Sequence, residues 1–382
     1  MDGIDWGWDS SALRRRVCTL IVTRDCNLNC RYCYEEFKGP ENMDFDTARR
    51  ILEEEYAFAC ESSDYDGFLI DFMGGEPLLN FPLIREVVGW AKARERRKPI
   101  TCFAATNGTL LDSEKTDWFR KHRKSVVLGA SYDGALGAQR SNRGTDPGAV
   151  PLEFFRECWP FQPVRMTVSK ATVGTFADGA LELFRGGYPV EAVAAQGEDW
   201  DASDAELFKK GLRKLKDAFL EDETLPAIRL LRGRLLFGSE PGNMYCGTGR
   251  NMAAYDVDGR RYACHMFAPI VQGERALPLD HRLAPGEYDA RDPFCDGCAL
   301  YRICSTCVGV NYKHRGGTRL RDHRFCGMIL ARCVVACEYQ LALLARHGGG
   351  LNAEGALRAK EVLEAARVLA RLRGNAPYRT DG

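Results

Sequence analysis

Short apolar runs alternate with longer amphipathic segments from residue 17 to about residue 220, and this alternation constrains the fold more than any other feature. The runs are rich in strand-favouring residues, while the segments between them carry apolar residues at helical spacing. Strands that alternate with helices form a parallel sheet, whose functional loops lie at the carboxyl ends of the strands. The sequence therefore predicts an α/β fold, a partial (β/α)6 barrel of the TIM type, with strands at residues 17–22, 68–73, 101–106, 126–131, 164–169 and 190–195.

Three cysteines follow the first predicted strand directly. Cys26, Cys30 and Cys33 stand in the run RDCNLNCRYCYE. Three thiolates can each ligate one iron of a [4Fe–4S] cluster, which leaves the fourth iron open to a small molecule. A structural zinc loop is the alternative, but such loops usually pair CxxC with a second arm, and none follows within the next fifty residues. The spacing therefore indicates an iron–sulfur loop.

A glycine-rich motif follows the second predicted strand. Gly74, Gly75 and Glu76 stand in the run MGGEP. The two glycines let the backbone approach a ligand closely and expose amide groups, and the carboxylate of Glu76 can bind an ammonium group. An ordinary turn between a strand and a helix is the alternative reading.

The fourth predicted strand ends in a polar motif. Ser131 and Asp133 stand in the run SYDG, and Arg143 follows twelve residues after Ser131. A guanidinium group can hold a carboxylate through two parallel hydrogen bonds. A capped turn followed by a solvated arginine is the alternative.

Taken together, these motifs resemble the signature of radical S-adenosylmethionine (radical SAM) enzymes, which also carry an aromatic residue such as Tyr32 before the third cysteine. The resemblance implies that the three cysteines hold a [4Fe–4S] cluster whose open iron binds SAM. The reduced cluster would cleave SAM, and the resulting 5′-deoxyadenosyl radical would remove a substrate hydrogen. It also implies contacts of Glu76 with the SAM amino group, Ser131 with the ribose and Arg143 with the carboxylate, within a SAM site comprising Tyr32, Gly74, Gly75, Glu76, Ser131, Asp133 and Arg143.

The C-terminal cysteines resemble the SPASM domain of radical SAM enzymes that modify peptides and proteins. That domain normally binds two auxiliary [4Fe–4S] clusters, giving three clusters in all. One departure from its pattern is that two residues, not three, separate Cys304 from Cys307. The resemblance implies four ligands for an outer cluster and three for an inner cluster: Cys295, Cys298, Cys304 and Cys326, and then Cys246, Cys264 and Cys307.

The inner set lacks a fourth cysteine. Sulfatase-maturing relatives place one between the first two SPASM cysteines, but residues 247–263 contain none. An open iron there can bind a substrate cysteine thiolate and accept an electron. The alternative is that another side chain closes the site, for which the candidates are Cys333, Cys337, His265 and Asp256.

Composition limits the classes of partner. The chain has 53 basic and 53 acidic side chains, so no net charge favours nucleic acid or an anionic membrane. No run of 18 apolar residues and no signal-like N-terminus is present, which favours the cytoplasm. Sixteen cysteines in such a chain indicate metal clusters rather than disulfides.

The organisation along the chain follows from these patterns. We expect an N-terminal segment at 1–16, the radical SAM barrel at 17–240, the SPASM domain at 241–345, and a C-terminal helix and tail at 346–382. About sixteen residues before the first strand are too few for a leader-binding domain.

The resemblance predicts a peptide maturase that forms a cross-link, and specifically a cysteine thioether, in a ribosomally made precursor peptide. A formylglycine-forming sulfatase maturase and a carbon–carbon cross-linking maturase are the enzymatic alternatives, and an iron–sulfur electron carrier is the non-enzymatic one. We expect the partners to be a cysteine-containing precursor peptide and a reductant protein such as flavodoxin or ferredoxin.

Overall fold

The computed structural model describes residues 14–94, 97–134, 137–238, 246–248, 250–280, 292–349 and 351–372. Most of the predicted N-terminal segment and the end of the predicted tail, residues 1–13 and 373–382, lie outside the described residues. Within them, all six predicted strands are present, and two more follow. The strands are β1 (Arg15–Thr23), β2 (Gly67–Gly74), β3 (Ile100–Thr106), β4 (Val126–Ala130), β5 (Val164–Val168), β6 (Val190–Ala194), β7 (Met252–Tyr255) and β8 (Arg261–Tyr262).

Strands β1 to β6 follow one another in space as they do in sequence. The larger sheet has the order β4-β3-β2-β1-β7-β8, in which β1 to β4 and β7 are parallel and β8 is antiparallel. Strands β5 and β6 form a parallel pair, and a parallel bridge between Ser131 and Arg165 connects this pair to the end of β4. The predicted partial (β/α)6 barrel is confirmed.

Helices connect the strands and cover the outside of the barrel. Side-chain caps begin several of them, because the first backbone N–H groups of a helix lack partners within it. Asp44 accepts from the backbone N–H of Thr47, and Asp201 forms a capping box with Asp204. The helices of the described residues are α1 (Phe45–Glu61), α2 (Phe81–Ala93), α3 (Ser113–His122), α4 (Ala138–Arg143), α5 (Leu152–Cys158), α6 (Phe176–Arg185), α7 (Ala202–Glu221), α8 (Arg229–Arg232), α9 (Pro269–Gln272), α10 (Val308–Arg315), α11 (Cys326–His347) and α12 (Ala353–Leu372).

The main core lies between the strands and their covering helices. Alternate residues of a strand point to opposite faces, and in β2 the residues Phe68, Ile70 and Phe72 are fully buried against the helices. Leu69, Asp71 and Met73 lie on the opposite face, which lines the inside of the barrel. The inside of the barrel therefore includes charged as well as apolar side chains.

The chain beyond residue 240 continues the barrel sheet. Strand β7 pairs in parallel with β1, the first strand of the barrel, so the sheet extends across the predicted boundary at residue 240. The boundary itself stays a prediction.

The cysteine-rich segment also contains a long helix that was not expected from the sequence pattern. Helix α11 packs against α7, α8 and α12. It is the one helix among the described residues that is long and apolar enough to span a membrane, but 56% of its apolar window is buried inside the protein. These contacts make α11 a core helix.

Candidate functional site

The three N-terminal cysteines lie on one loop at the carboxyl end of β1. The backbone N–H of Cys33 donates to the carbonyl of Cys30 (3.0 Å), and the N–H of Leu28 donates to the sulfur of Cys26 (3.4 Å). Burial raises the pKa of Cys26 to about 11 and also raises the pKa values of the Cys30 and Cys33 thiols. Thiolates in this position need a nearby positive charge, which the iron of a cluster supplies. The donor set therefore fits a cluster held by three thiolates.

The two glycines of the second motif allow the cysteine loop to pack closely on β2. A Cβ atom at Gly75 would lie 2.1 Å from the backbone oxygen of Asp25 and 2.8 Å from Cβ of Cys26. Gly74 has φ +136°, and a Cβ there would lie 2.0 Å from the backbone oxygen of Thr23. In the structure, the close approach that these glycines permit is to the cysteine loop itself.

Glu76 connects the glycine motif to the end of β3. Its buried carboxylate accepts hydrogen bonds from the hydroxyl of Thr106 (2.7 Å), the backbone N–H of Asn107 (2.8 Å) and the backbone N–H of Leu78 (3.1 Å). The pKa of Glu76 is raised, because the effect of burial exceeds that of these three hydrogen bonds, which lower it. The side-chain amide of Asn107 donates to Asn27 on the cysteine loop (2.9 Å), so the loops after β1, β2 and β3 form one hydrogen-bonded unit.

Asp133 is the centre of the third part of the site. It is paired with Arg143 through two hydrogen bonds (3.0 and 3.1 Å), and it accepts a third from the Tyr32 hydroxyl (2.7 Å). The side-chain amide of Asn142 and the backbone N–H of Thr167 also donate to it (3.2 and 2.8 Å). Asp133 and Arg143 are 2% and 7% exposed, so this is a buried ion pair.

The three parts lie close together. The guanidinium of Arg143 lies 5.5 Å from the ring centre of Tyr32. Burial raises the pKa values of Cys30 and Glu76, and the positive charge of Arg143 partly offsets this by lowering both. The backbone N–H of Ser131 donates to the carbonyl of Thr106 (2.9 Å). The structure thus brings the predicted SAM-site residues together at the carboxyl ends of β1 to β4, while their individual contacts with SAM stay predictions.

Four cysteines of the C-terminal segment line one cavity of about 490 Å³: Cys295, Cys298, Cys304 and Cys326. The pKa values of Cys295 and Cys326 are raised to about 12, mainly by burial and to a smaller extent by the neighbouring thiols. Four thiols around one cavity match the ligand set of a fully ligated [4Fe–4S] cluster. The four predicted outer ligands therefore fit that group.

Asp292 and His323 lie beside this cavity, with donor atoms within 4.8 Å of the Cys295 sulfur and of each other. Asp292 already accepts hydrogen bonds from the backbone N–H groups of Phe294 (3.0 Å) and Arg321 (2.9 Å), and it lies 2.8 Å from the ring nitrogen Nε2 of His323. These bonds hold the loop around Cys295 in place.

The three predicted inner ligands also lie near one another. The hydroxyl of Thr248 lies 3.2 Å from the sulfur of Cys246 and hydrogen-bonds with Cys264. The pKa of Cys307 is raised to about 11, mainly by burial and to a smaller extent by the charge of Cys246. The backbone N–H of Cys307 donates to the side chain of Gln196 just beyond β6 (3.2 Å). This set fits a cluster with three protein thiolates.

Three of the four candidates for a further inner ligand are engaged elsewhere. Asp256 is paired with Arg24, and the sulfur of Cys337 lies against the carbonyl of Val362 (3.8 Å). The buried Cys333 thiol lies near Cys304 of the outer set, whose charge raises its pKa further. Only His265 of the four lies beside an inner cysteine.

A tyrosine that the cysteine motifs did not indicate lies between the N-terminal and inner cysteines. The Tyr34 hydroxyl lies 3.3 Å from Nε2 of His265, and burial raises the pKa of Tyr34, with further contributions from the charges of Glu35, Cys33 and Cys307. Its position directly after Cys33 was the one available sequence signal. The first cysteine loop and the inner set therefore face a common region.

Comparison with protein families agrees with this geometry. Residues 20–132 match the model of the Radical SAM superfamily. This chain carries a radical SAM domain. The superfamily is one of enzymes, and the match includes the cysteine loop, the glycine motif and the Ser131 end of β4.

Curated relatives match over limited segments. An uncharacterised protein of Methanocaldococcus jannaschii is 35% identical over 115 residues, which are 30% of this chain and 37% of that protein. The radical SAM cyclopropyl synthase TigE of Paramaledivibacter caminithermalis is 27% identical over 151 residues, 36% of this chain and 30% of TigE. The matched segments thus span about a third of each relative.

Solved structures share the fold over a larger part of the chain. A tagged anSMEcpe with bound AdoMet has a TM-score of 0.65 and 16% identity, and the match covers 92% of this chain and 98% of that one. Streptococcus suis SuiB bound to its precursor peptide SuiA has a TM-score of 0.57 and 13% identity, covering 81% and 75%. At these identities, the likeness concerns the fold alone.

Proposed function

We propose that this protein is a radical SAM peptide maturase that forms a cross-link, specifically a cysteine thioether, in a ribosomally made precursor peptide. The observation that carries the proposal is the presence of the outer and inner cysteine sets beside the radical SAM domain, with Tyr34 between the first cysteine loop and the inner set. A cytoplasmic setting, where thiols stay reduced, belongs to the same proposal.

The radical SAM site supplies the initiating chemistry. A [4Fe–4S] cluster bound there would supply the chemistry of reductive SAM cleavage to a 5′-deoxyadenosyl radical. Cys26, Cys30 and Cys33 would hold this cluster. The Glu76 and Asp133 networks hold the neighbouring loops in place, so that the radical forms in a fixed position beside the substrate.

In thioether formation, every hydrogen and electron that leaves the peptide has an acceptor. The peptide loses one hydrogen atom from carbon to the 5′-deoxyadenosyl radical and one proton from the cysteine thiol. Bond formation between sulfur and carbon then releases one electron, which the inner cluster would accept. The missing fourth inner cysteine supports this role, because an iron without a fourth protein thiolate can bind the substrate sulfur. A flavodoxin or ferredoxin would supply the electron for SAM cleavage.

Carbon–carbon bond formation is the second candidate. The cyclopropyl synthase named TigE is among the relatives, and its name states a ring of carbon–carbon bonds. Formylglycine formation has less support, because residues 247–263 lack the additional cysteine of sulfatase maturases.

The test is anaerobic incubation of the reconstituted protein with SAM, dithionite and a library of cysteine-containing peptides. A thioether removes the mass of two hydrogens and blocks alkylation of the cysteine, whereas a carbon–carbon link removes the same mass and leaves the thiol reactive. Release of 5′-deoxyadenosine without any change in the peptides would overturn the maturase proposal. Absence of 5′-deoxyadenosine from protein with loaded clusters would favour the electron carrier.

A further inference from the structure

Arg165 lies inside the barrel, and its guanidinium group has no partner among the residues that the structure describes. Val164, Met166 and Val168 of β5 are buried against the covering helices, so Arg165 and Thr167 occupy the opposite, inner face. Arg165 is exposed, and its guanidinium makes no hydrogen bond or ion pair with any residue that the structure describes. An arginine can donate five N–H groups in a planar fork, and no described residue accepts any of them here.

Two acidic side chains face the same interior. Asp71 lies on β2, and Glu191 lies on β6 in direct register with Arg165. Burial raises the pKa of Asp71 to about 7 despite the charge of Arg165, and burial also raises the pKa of Glu191. Since burial favours the neutral form of both acids, they offset the charge of the guanidinium only in part. The interior near Arg165 therefore favours an anionic group.

The same residue lies beside the SAM site. Arg165 forms the bridge with Ser131, and its carbonyl accepts from the backbone N–H of Tyr132 (2.9 Å). Two residues further along β5, the backbone N–H of Thr167 donates to Asp133 (2.8 Å). The positive charge of Arg165 also acts to lower the pKa of Tyr34, which lies near the inner cysteines. A group bound by Arg165 would thus lie between the radical source and the inner cysteine set.

We propose that Arg165 binds a carboxylate of the peptide substrate and so selects peptides with an acidic group near the modified residue. The inference rests on the proposed function and specifies its substrate class. A bidentate pair between guanidinium and carboxylate fixes orientation as well as position, and this orientation would present one hydrogen of the substrate to the radical.

The test measures binding rather than turnover. The reconstituted protein, loaded with SAM but without reductant, is mixed with a displayed library of peptides that have one central cysteine and randomised flanks. Sequencing of the retained peptides is expected to show Asp or Glu enriched roughly tenfold or more at one fixed position, because hydrogen bonds between charged groups are the stronger class. Arg165→Gln should abolish this enrichment, and Arg165→Glu should replace it with Lys or Arg.

Controls separate the possible outcomes. Arg185→Glu makes the same charge change at an exposed position on α6, outside the barrel, and should keep the acidic preference. Short synthetic peptides with a free or an amidated C-terminus distinguish a terminal carboxylate from an acidic side chain. Iron content and urea midpoint establish that each variant is folded.

Three results would overturn the inference. The first is a wild type that retains peptides without an acidic preference, and the second is an Arg165→Glu variant that retains peptides with the same preference as the wild type. Either result would overturn the role of Arg165 and leave the proposed peptide substrate standing. Retention of no peptide would overturn both this inference and the proposed peptide substrate.

Discussion

Replacing Asp133 with alanine removes the carboxylate that holds Arg143 in the predicted SAM site. The buried Arg143 would keep its charge and lose both of its hydrogen bonds to Asp133, while Tyr32 and the backbone N–H of Thr167 would lose their acceptor. Breaking a buried ion pair by removing one partner costs about 3–5 kcal/mol. Since natural domains have total stabilities of about 5–15 kcal/mol, the expected loss is a large part of the whole.

Urea unfolding of the anaerobic protein, followed by circular dichroism, measures this loss. Asp117→Ala is the matched control, because Asp117 forms an exposed ion pair with Arg120 (3.1 Å) that water screens, and its removal should change the midpoint little. A double variant, Asp133→Leu with Arg143→Met, leaves neither charge buried. Its loss should be smaller than the sum of the losses measured for Asp133→Leu alone and Arg143→Met alone.

The reasoning would be refuted if Asp133→Ala destabilised the protein no more than Asp117→Ala. Strict additivity in the double variant would also refute it, because it would mean that the two charged side chains do not depend on each other for stability.

Three further predictions concern neighbouring positions. Gly75→Ala should displace the cysteine loop and so lose about four of about twelve irons. Gly89→Ala on α2, where an added Cβ meets open space, should keep all of them. A full iron count in both variants would contradict this prediction. Asp71→Asn should stabilise the protein relative to the wild type, increasingly as pH rises from about 4 to about 7 and by at most about 4 kcal/mol. The reason is that the folded wild type holds a proton on Asp71 that the unfolded chain releases. Equal urea midpoints of variant and wild type at pH 8 would contradict this prediction. Tyr32→Phe should cost about 1–3 kcal/mol, since it leaves one donor fewer on the buried Asp133 carboxylate; an unchanged midpoint would contradict it.

Local patterns were sufficient to predict the barrel and the grouping of its motifs. Each of the six strands is a short apolar run of its own, and parallel strands place their carboxyl ends at one edge, so the loops at Cys26, Glu76 and Asp133 could be expected to meet. Asp44 and Asp112 cap α1 and α3 as a polar residue before an amphipathic segment indicates.

Contacts between distant segments could not be predicted in the same way. Strand β7 is only four residues long, and its pairing with β1 depends on a free sheet edge that no local pattern reveals. Helix α11 packs against three other helices, so its apolar residues do not form the single stripe that marks a surface helix. Charged Arg165 and Asp71 within apolar strands were the available sign of a polar barrel interior.

The bonds of Glu76 and Asp133 show a further limit. The sequence motifs indicate which side chains belong to the predicted SAM site. They do not indicate that Glu76 accepts hydrogen bonds from Thr106 and Asn107, or that Asp133 accepts them from Arg143. Such bonds depend on loop geometry across different strands.

Iron and sulfide content of the anaerobically reconstituted protein tests the central claim most directly, with the wild type beside a Cys26/Cys30/Cys33 triple alanine variant. The account predicts about twelve irons per chain in the wild type and about eight in the variant, because three [4Fe–4S] clusters become two. A count of about eight that falls to about four would contradict it, since one auxiliary cluster would then be absent.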